Sequence, residues 1–333
     1  MARYAVAAYA IRVTPMGQNE KCINLSDLNG RGLDLSHLTH AFVKDIQKRP
    51  FKNEQFGHYL SVERVQAEGR CISFSAEYGR YGVEGNIKNV RTNRKTHKYG
   101  ADESPVVSVR NMLVVPPNAD AAIFLAERCG GRGAATAFLG HLIKSFNRRF
   151  ANEHLVLRKE GIADKEAWNK FVEKARLTQI KAIRYTQGHD IADGVNGLQA
   201  TNIGKLEYTV KPKRSSSLAK QLMSMIMDQS IKPETQILGL REGFEVDEIR
   251  LQLTDGDQQK EVIMGRDGFP TLVYPIKVAE GERPSDEVIY DFMADIAQQL
   301  AQGLLLELPS DWRTGSWGRK SKSVSFEAVR DEC

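Results

Sequence analysis

Apolar residues in the first half of the chain follow two spacings, one typical of strands and the other typical of helices. Alternation of apolar and polar residues, or a short apolar run, predicts strands over residues 4–13, 59–65, 70–78, 106–115 and 121–126. The strands at 59–65 and 70–78 are predicted to form a hairpin around Glu68 and Gly69. Apolar residues three or four positions apart predict helices over residues 35–46 and 138–149. We therefore expect residues 1–150 to form an N-terminal α+β domain.

In the second half of the chain, predicted strands and helices alternate twice in the same order. The first strand–helix–strand repeat has a strand at residues 154–158, a helix capped by Asp164 and a strand at residues 180–185. The second has a strand at residues 205–211, a helix at 218–228 and a strand at 248–254. Two such units in series predict a ferredoxin-like layer, with helices on one face of an antiparallel sheet.

The predicted fold class is therefore α+β, with two domains of antiparallel sheet and ferredoxin-like βαβ repeats in the C-terminal half. The repeat domain spans residues 151–309 and ends on a helix that Pro284 and Ser285 open. Residues 310–333 are rich in Ser, Gly and basic residues, and are predicted to form a tail that is flexible when unbound.

A cationic turn joins the predicted strand at 205–211 to the helix at 218–228. A helix start has free N–H groups and a partial positive charge, so phosphate suits it, and serines after the turn can cap the helix. A solvated turn with an ordinary cap explains the same residues. The candidate phosphate-binding residues at this turn are Lys211, Lys213, Arg214, Ser215 and Ser216.

A second cluster of positive charge lies in residues 78–100, where no acidic residue occurs after Glu84 until Asp102. Large aliphatic residues are few there, which predicts a mobile basic loop or a long hairpin arm. A solvated loop is the alternative, but a cluster of one sign repels itself and favours a polyanion as partner. The candidate DNA-binding residues of this arm are Lys88, Arg91, Arg94, Lys95 and Lys98.

The composition permits an anionic partner without demanding one. The chain has 333 residues and a net charge of +5, with apolar and charged fractions that are ordinary for a globular protein. Its four cysteines, Cys22, Cys71, Cys129 and Cys333, form no C-x-x-C pair, so a disulfide scaffold or zinc knuckle is not expected and a reducing cytoplasm fits. The opening segment is interrupted by Tyr and Arg, which favours a first strand over a signal peptide, and no run is long enough to span a membrane.

Motifs for catalysis are sparse. The glycine-rich loop at residues 129–134 precedes a helix and resembles the pyrophosphate loop of acetyl-coenzyme A dependent N-acetyltransferases, although a glycine-rich entry to a helix is more often a tight packing turn. The chain has no nucleophile elbow, no Walker loop and no nuclease-like spacing of acids. We therefore expect a binding protein without a cofactor or metal, and keep a small-molecule transferase as the alternative.

The order of features resembles the RexA phage-exclusion proteins of temperate phages. An early strand leads to Ile23-Asn24-Leu25-Ser26, and a Val/Leu-rich strand pair lies near the middle of the chain. A later strand runs through Val210-Lys211-Pro212-Lys213-Arg214 into a helix, and an amphipathic helix comes last. The resemblance covers most of the chain, but these motifs are short, and the glycine loop and basic tail belong to this chain alone.

The resemblance implies a two-domain α+β homodimer that binds double-stranded DNA with little sequence preference. It also implies a role in prophage-encoded superinfection exclusion, with lysogeny control as an extension and a RexB-like small membrane protein as partner. By similarity, Lys211, Lys213 and Arg214 fall on the family's basic turn, whereas the arm at residues 88–98 is assigned from charge alone. Lys and Arg neutralise phosphates without reading sequence, and the chain shows no helix-turn-helix or zinc-finger pattern.

Overall fold

The fold is taken from a computed structural model of the chain. It describes residues 4–18, 21–53, 57–130, 132–161, 176–186, 204–212, 246, 248–255, 258–265, 270–276, 278, 282–317 and 323–330. More of these residues lie in strands than in helices, and each strand pair with a described register is antiparallel, so the α+β class predicted from the sequence is confirmed.

The chain divides into two compact units. The first unit contains residues 1–160 together with 276–333, and the second contains residues 161–275. These limits differ from the sequence-predicted boundaries at 150/151 and 309/310, because the last helix returns to the first unit. The chain leaves the first unit after residue 160 and returns to it at residue 276, and the amino-acid composition does not change in a way that marks this return.

The first unit is built on a sheet in which β1 pairs with β8, followed in order by β7, β4, β3 and β2, while β9 also pairs with β1. The predicted hairpin around Gly69 is confirmed, with φ of +55° at that glycine. A separate two-stranded sheet pairs β5 with β6. The bounds are β1 Tyr4–Pro15, β2 Phe51–Asn53, β3 His58–Glu68, β4 Cys71–Arg80, β5 Gly85–Lys88, β6 Lys95–Tyr99, β7 Val107–Val114, β8 Ala122–Cys129 and β9 Leu155–Gly161.

Three described helices cover this sheet, α1 Leu35–Lys48, α2 Ala135–Arg149 and α3 Asp286–Gly303. The first two share one aromatic core with the strands, in which the ring of Phe138 lies 4.7 Å from Phe74 and 5.6 Å from Phe124. Successive strand residues point to opposite faces, and Met112 and Leu125, on the other face, are also buried. Helix α3 contacts β7 and β8 there, so this sheet carries helices on both faces rather than on one.

The segment after Pro309 is packed in the described part, which corrects the prediction of a flexible tail. We call residues 310–317 and 323–330 the C-terminal strap. Trp312 and Phe326 are buried, and the Phe326 ring lies 5.6 Å from that of Phe42. The backbone carbonyl of Trp312 accepts a hydrogen bond of 2.7 Å from the N–H of Arg70. Aromatic residues within a Ser/Gly-rich segment supply enough apolar surface to order it, which an average over composition conceals.

The second unit contains the strands β10 Arg176–Thr186, β11 Gly204–Val210, β12 Glu248–Asp255, β13 Gln258–Gly265 and β14 Pro270–Pro275. Their order is β11-β10-β12-β13-β14. Because β11 and β12 both pair antiparallel with β10, they run parallel to each other on either side of it. The helices predicted after Asp164 and at residues 218–228 lie outside the described residues.

Candidate nucleic-acid interface

The predicted basic arm is a β-hairpin, which confirms the hairpin interpretation of residues 78–100. Strands β5 and β6 pair antiparallel, with Ile87 opposite His97 and Lys88 opposite Lys95. The register shifts between Ile87 and Lys88, which marks a bulge. At the base of the arm, a Cβ atom on Gly85 would overlap the ring of Tyr99, so this close packing requires glycine.

The tip of the arm, residues 89–94, is held by its own polar groups. The Oδ1 atom of Asn89 accepts the backbone N–H of Arg91 at 2.9 Å and that of Thr92 at 3.0 Å. The N–H of Asn89 donates to the carbonyl of Arg94 at 2.8 Å, and Asn93 takes the left-handed conformation with φ of 54°. Asparagine suits both roles, so the local sequence specifies a defined turn.

The five cationic side chains of the arm are all exposed. Lys98 pairs with Glu84 at 3.1 Å, while no described acid lies within ion-pair distance of the other four, Lys88, Arg91, Arg94 and Lys95. Two like charges directly opposite each other destabilise a strand pair, and Lys88 faces Lys95 in this way. The arm therefore carries repulsion that an external polyanion would relieve.

The second predicted cationic element is described only at its start. Strand β11 forms as predicted, and Lys211 follows it with an exposed side chain. The alternate apolar residues Leu206 and Tyr208 are 41% and 39% exposed, so the face of the strand that carries them is not buried. The remaining candidates at this turn, Lys213, Arg214, Ser215 and Ser216, lie outside the described residues.

The glycine-rich loop closes on itself. The N–H of Cys129 donates to the carbonyl of Arg132 at 2.8 Å, and the N–H of Arg132 donates back to the carbonyl of Cys129 at 3.0 Å. These two donors are therefore engaged within the turn, as a tight packing turn requires. A Cβ atom on Gly133 would lie 3.0 Å from the carbonyl oxygen of Glu127, so the glycine permits a close backbone approach.

A buried charged cluster lies between β7, β8 and the start of α3, and no pattern in the sequence predicts it. Glu127 is fully buried and accepts bonds from the Arg110 guanidinium at 3.1 Å and from the Arg110 backbone N–H at 2.8 Å. Arg110 also pairs with Asp286 at 2.6 Å, and Arg283 lies 3.8 Å from Glu127. Burial alone would lower the pKa of Arg110, but Asp286 and Glu127 outweigh it and raise that pKa.

Helix α2 and strands β2, β3 and β4 line an open cavity of about 270 Å³ in the first unit. The ring of His141 stacks on Phe51 at 3.8 Å, and the Nδ1 atom of His58 lies 3.4 Å from the Tyr78 hydroxyl. Burial, together with Arg80, lowers the pKa of His58. No pattern along the sequence predicts this cavity, because its residues come from four separate segments.

Among the described residues, no group of three or more His, Cys, Asp and Glu side chains could hold a metal ion. No helix in the described ranges is both long enough and apolar enough to cross a membrane. Cys22, Cys71 and Cys129 are free thiols, and burial raises the pKa of Cys71 to about 11.

Comparison with known proteins leaves the family open. No family model matches the chain, and no curated protein matches it. Among solved structures, the Helicobacter pylori β clamp in complex with 3,4-difluorobenzamide aligns at 11% identity over 81% of this chain and 66% of that chain, with a TM-score of 0.09. A likeness at that score carries no argument about fold or function.

Proposed function

We propose that the protein binds duplex DNA without sequence preference, as a cytoplasmic homodimer that acts in prophage-encoded superinfection exclusion. Lysogeny control and a RexB-like small membrane partner belong to the same proposal, and both rest on the resemblance to RexA proteins. The proposal assigns a binding role rather than catalysis.

The basic arm is the single observation that carries this proposal. Four exposed cations at its end have no described acidic partner, and two of them, Lys88 and Lys95, face each other across the strand pair. Such an arrangement is unfavourable in isolation and favourable beside a row of phosphates, where each contact also releases a counterion. Few aromatic residues accompany the cations, which favours a duplex over stacked single-stranded bases.

The turn after β11, in the second unit, is a separate proposed DNA-binding element. The exposed position of Lys211 suits a phosphate contact, and Lys213, Arg214, Ser215 and Ser216 are proposed beside it on the basis of the sequence alone. The two-domain organisation with ferredoxin-like repeats is likewise proposed. The parallel strands β11 and β12 on either side of β10 support one split strand–helix–strand unit, whereas β9 pairs with β1 instead.

The salt dependence of binding tests the arm directly. A dimer that engages about 6–10 phosphates should lose about 10³–10⁵ in affinity for unrelated duplexes between about 50 and 200 mM salt. The slope of log K against log salt is negative, and each lost phosphate contact reduces its magnitude by about 0.9. Removing four cations should therefore reduce the magnitude by about 3 to 4 for each engaged arm. The test variant changes Lys88, Arg91, Arg94 and Lys95 to Gln.

A charge-matched control separates the arm from net charge. Four exposed cations away from the arm are changed to Gln, namely Lys21, Arg31, Lys48 and Arg148. We expect this control to keep the parent's salt slope within about one unit. Equal slopes for the arm variant and the parent would show that the arm does not contact the phosphates of the DNA. A separate Lys211/Lys213/Arg214-to-Ala variant tests the turn in the same assay.

The alternative function is a small-molecule transferase of the acetyl-coenzyme A type, using the loop at residues 129–134. Two of the loop's N–H groups are already bonded within the turn, so this proposal is the weaker one. Coenzyme A at high concentration should raise the melting temperature if the loop binds it, because a ligand that binds only the folded state stabilises it. An unchanged melting temperature would reject this function.

A further inference from the structure

The basic arm presents an apolar side chain to solvent at its extreme tip. Val90 is 95% exposed, the highest value among the described large apolar residues, and it lies between Lys88 and Arg91 in the sequence. Ile87 and Val83, lower on the same arm, are 47% and 64% exposed. An arm that made only phosphate contacts would gain nothing from aliphatic residues at these positions, because burying them requires a partner.

The tip holds Val90 in a fixed position. The residues on both sides of it are tied down, since Asn89 accepts the N–H of Arg91 and that of Thr92 and donates its own N–H to Arg94. Valine is also stiff about its first side-chain torsion. Little conformational freedom therefore remains to be lost when the side chain is inserted into a partner.

Cations surround this apolar tip on both strands. Lys88 ends β5, Lys95 begins β6, and Arg91 and Arg94 lie in the turn between them. A partner for the tip therefore needs an apolar gap flanked by negative charge. Stacked base pairs between two phosphate backbones have this chemistry, and minor-groove proteins commonly insert an aliphatic wedge between base steps while cations contact the adjacent phosphates.

We propose that Val90 is a wedge that enters a base step from the minor groove and kinks the duplex, while the four cations in and beside the tip contact phosphates on either side. This inference rests on the proposed DNA binding and adds the kind of DNA preferred. Unstacking is least costly at flexible pyrimidine–purine steps, so the protein should favour deformable sites over stiff A-tracts without reading bases.

The test compares two conservative changes of Val90 in the full chain. Val90→Ser removes the apolar wedge and Val90→Ile retains it, and neither affects packing because the side chain is exposed. Val83→Ser is the matched control, an exposed valine on the same arm but away from the tip. Bending is measured by energy transfer between dyes at the ends of a duplex with a central TA step, and unstacking by aminopurine fluorescence at that step.

We expect the parent, Val90→Ile and Val83→Ser to bend the duplex and raise aminopurine fluorescence. Val90→Ser should lose both signals and bind the TA duplex about tenfold more weakly, while its affinity for an A-tract duplex stays within about twofold of the parent's. Equal bending by Val90→Ser and the parent would overturn the wedge but leave phosphate binding intact. Absence of duplex binding by the parent at low salt would instead overturn both proposals.

A second arm of the experiment addresses membranes, since a cationic tip with an exposed valine also suits an anionic lipid surface. Vesicles of phosphatidylcholine with a minor fraction of phosphatidylserine serve as the probe. The wedge proposal expects Val90→Ser and the parent to sediment equally with these vesicles. Loss of vesicle binding by Val90→Ser with duplex bending retained would assign the tip to lipid and refute the proposal.

Discussion

The buried charged cluster should make Glu127 one of the most sensitive positions of the first unit. Its side chain is fully buried, and both carboxylate oxygens lie 3.1 Å from the Arg110 guanidinium. Glu127→Gln keeps the shape and one acceptor but removes the charge. Among the described residues, Arg110 then retains only Asp286 as an acidic partner, and the Asp286 side chain is 49% exposed and therefore screened by solvent.

The expected loss follows from this geometry. Removing one partner of a buried pair costs about 3–5 kcal/mol, because the remaining charge is left without compensation in a poorly solvated site. Asp286 still offsets part of that penalty, so we expect about 3 kcal/mol for Glu127→Gln, at the lower end of the range. Asp286→Asn should cost less than about 1 kcal/mol, since exposed pairs contribute little.

Chemical denaturation followed by tryptophan fluorescence provides the measurement. Trp312 and Trp317 belong to the first unit and Trp168 to the second, so a Trp168→Phe background restricts the signal to the first unit. A double variant, Arg110→Met with Glu127→Leu, should regain stability to within about 1 kcal/mol of the parent, because well-packed apolar residues can replace a buried pair. A loss under about 1 kcal/mol for Glu127→Gln, equal to that of Asp286→Asn, would refute this account.

Two further predictions concern the C-terminal strap. Burial alone would raise the pKa of Asp45, but hydrogen bonds from Arg49 and from the strap outweigh it and lower that pKa. The resulting stabilisation is complete above the unfolded value of about 4 and is lost as the pH falls through the folded pKa, so Asp45→Asn should flatten the acid side of a plot of melting temperature against pH. Gly69→Ala should destabilise the first unit by more than about 1 kcal/mol, because a Cβ atom there would overlap the carbonyl oxygen of Trp312. Gly30→Ala, at a similar positive φ with open space around it, should cost less in the same denaturation assay.

Local patterns were sufficient for most strands and helices of the first unit, whereas for the arm they left a loop and a hairpin as alternatives. The alternation that predicts the hairpin around Gly69 acts between neighbouring residues, and the run of cations at residues 88–98 likewise indicates an exposed segment. The return of α3 to the first sheet depends on contacts between distant segments. No spacing along the chain reports those contacts, so the domain boundaries could not be derived from it.

The charged cluster and the strap also depend on contacts between distant segments, which sequence patterns do not predict. Arg110 interrupts an apolar strand in the sequence, and its partners lie in two other elements. Trp312 and Phe326 have no periodic apolar neighbours, so their burial follows from the surface that the rest of the unit offers. Pairing across elements decides both cases, and a single sequence carries no record of it.

The arm lies outside the buried core, so its contribution to the proposed DNA binding can be tested without changing the stability of the first unit. Strands β5 and β6 form a sheet of their own, and no residue between Gly85 and Tyr99 belongs to the buried core. Repulsion between Lys88 and Lys95 therefore acts on the hairpin alone, where two isolated strands are only marginally stable in water. Substitutions at the tip should leave the core's stability unchanged, whereas substitutions in the charged cluster should change stability and leave the salt dependence of DNA binding as it is. The two sets of variants thus test function and fold independently.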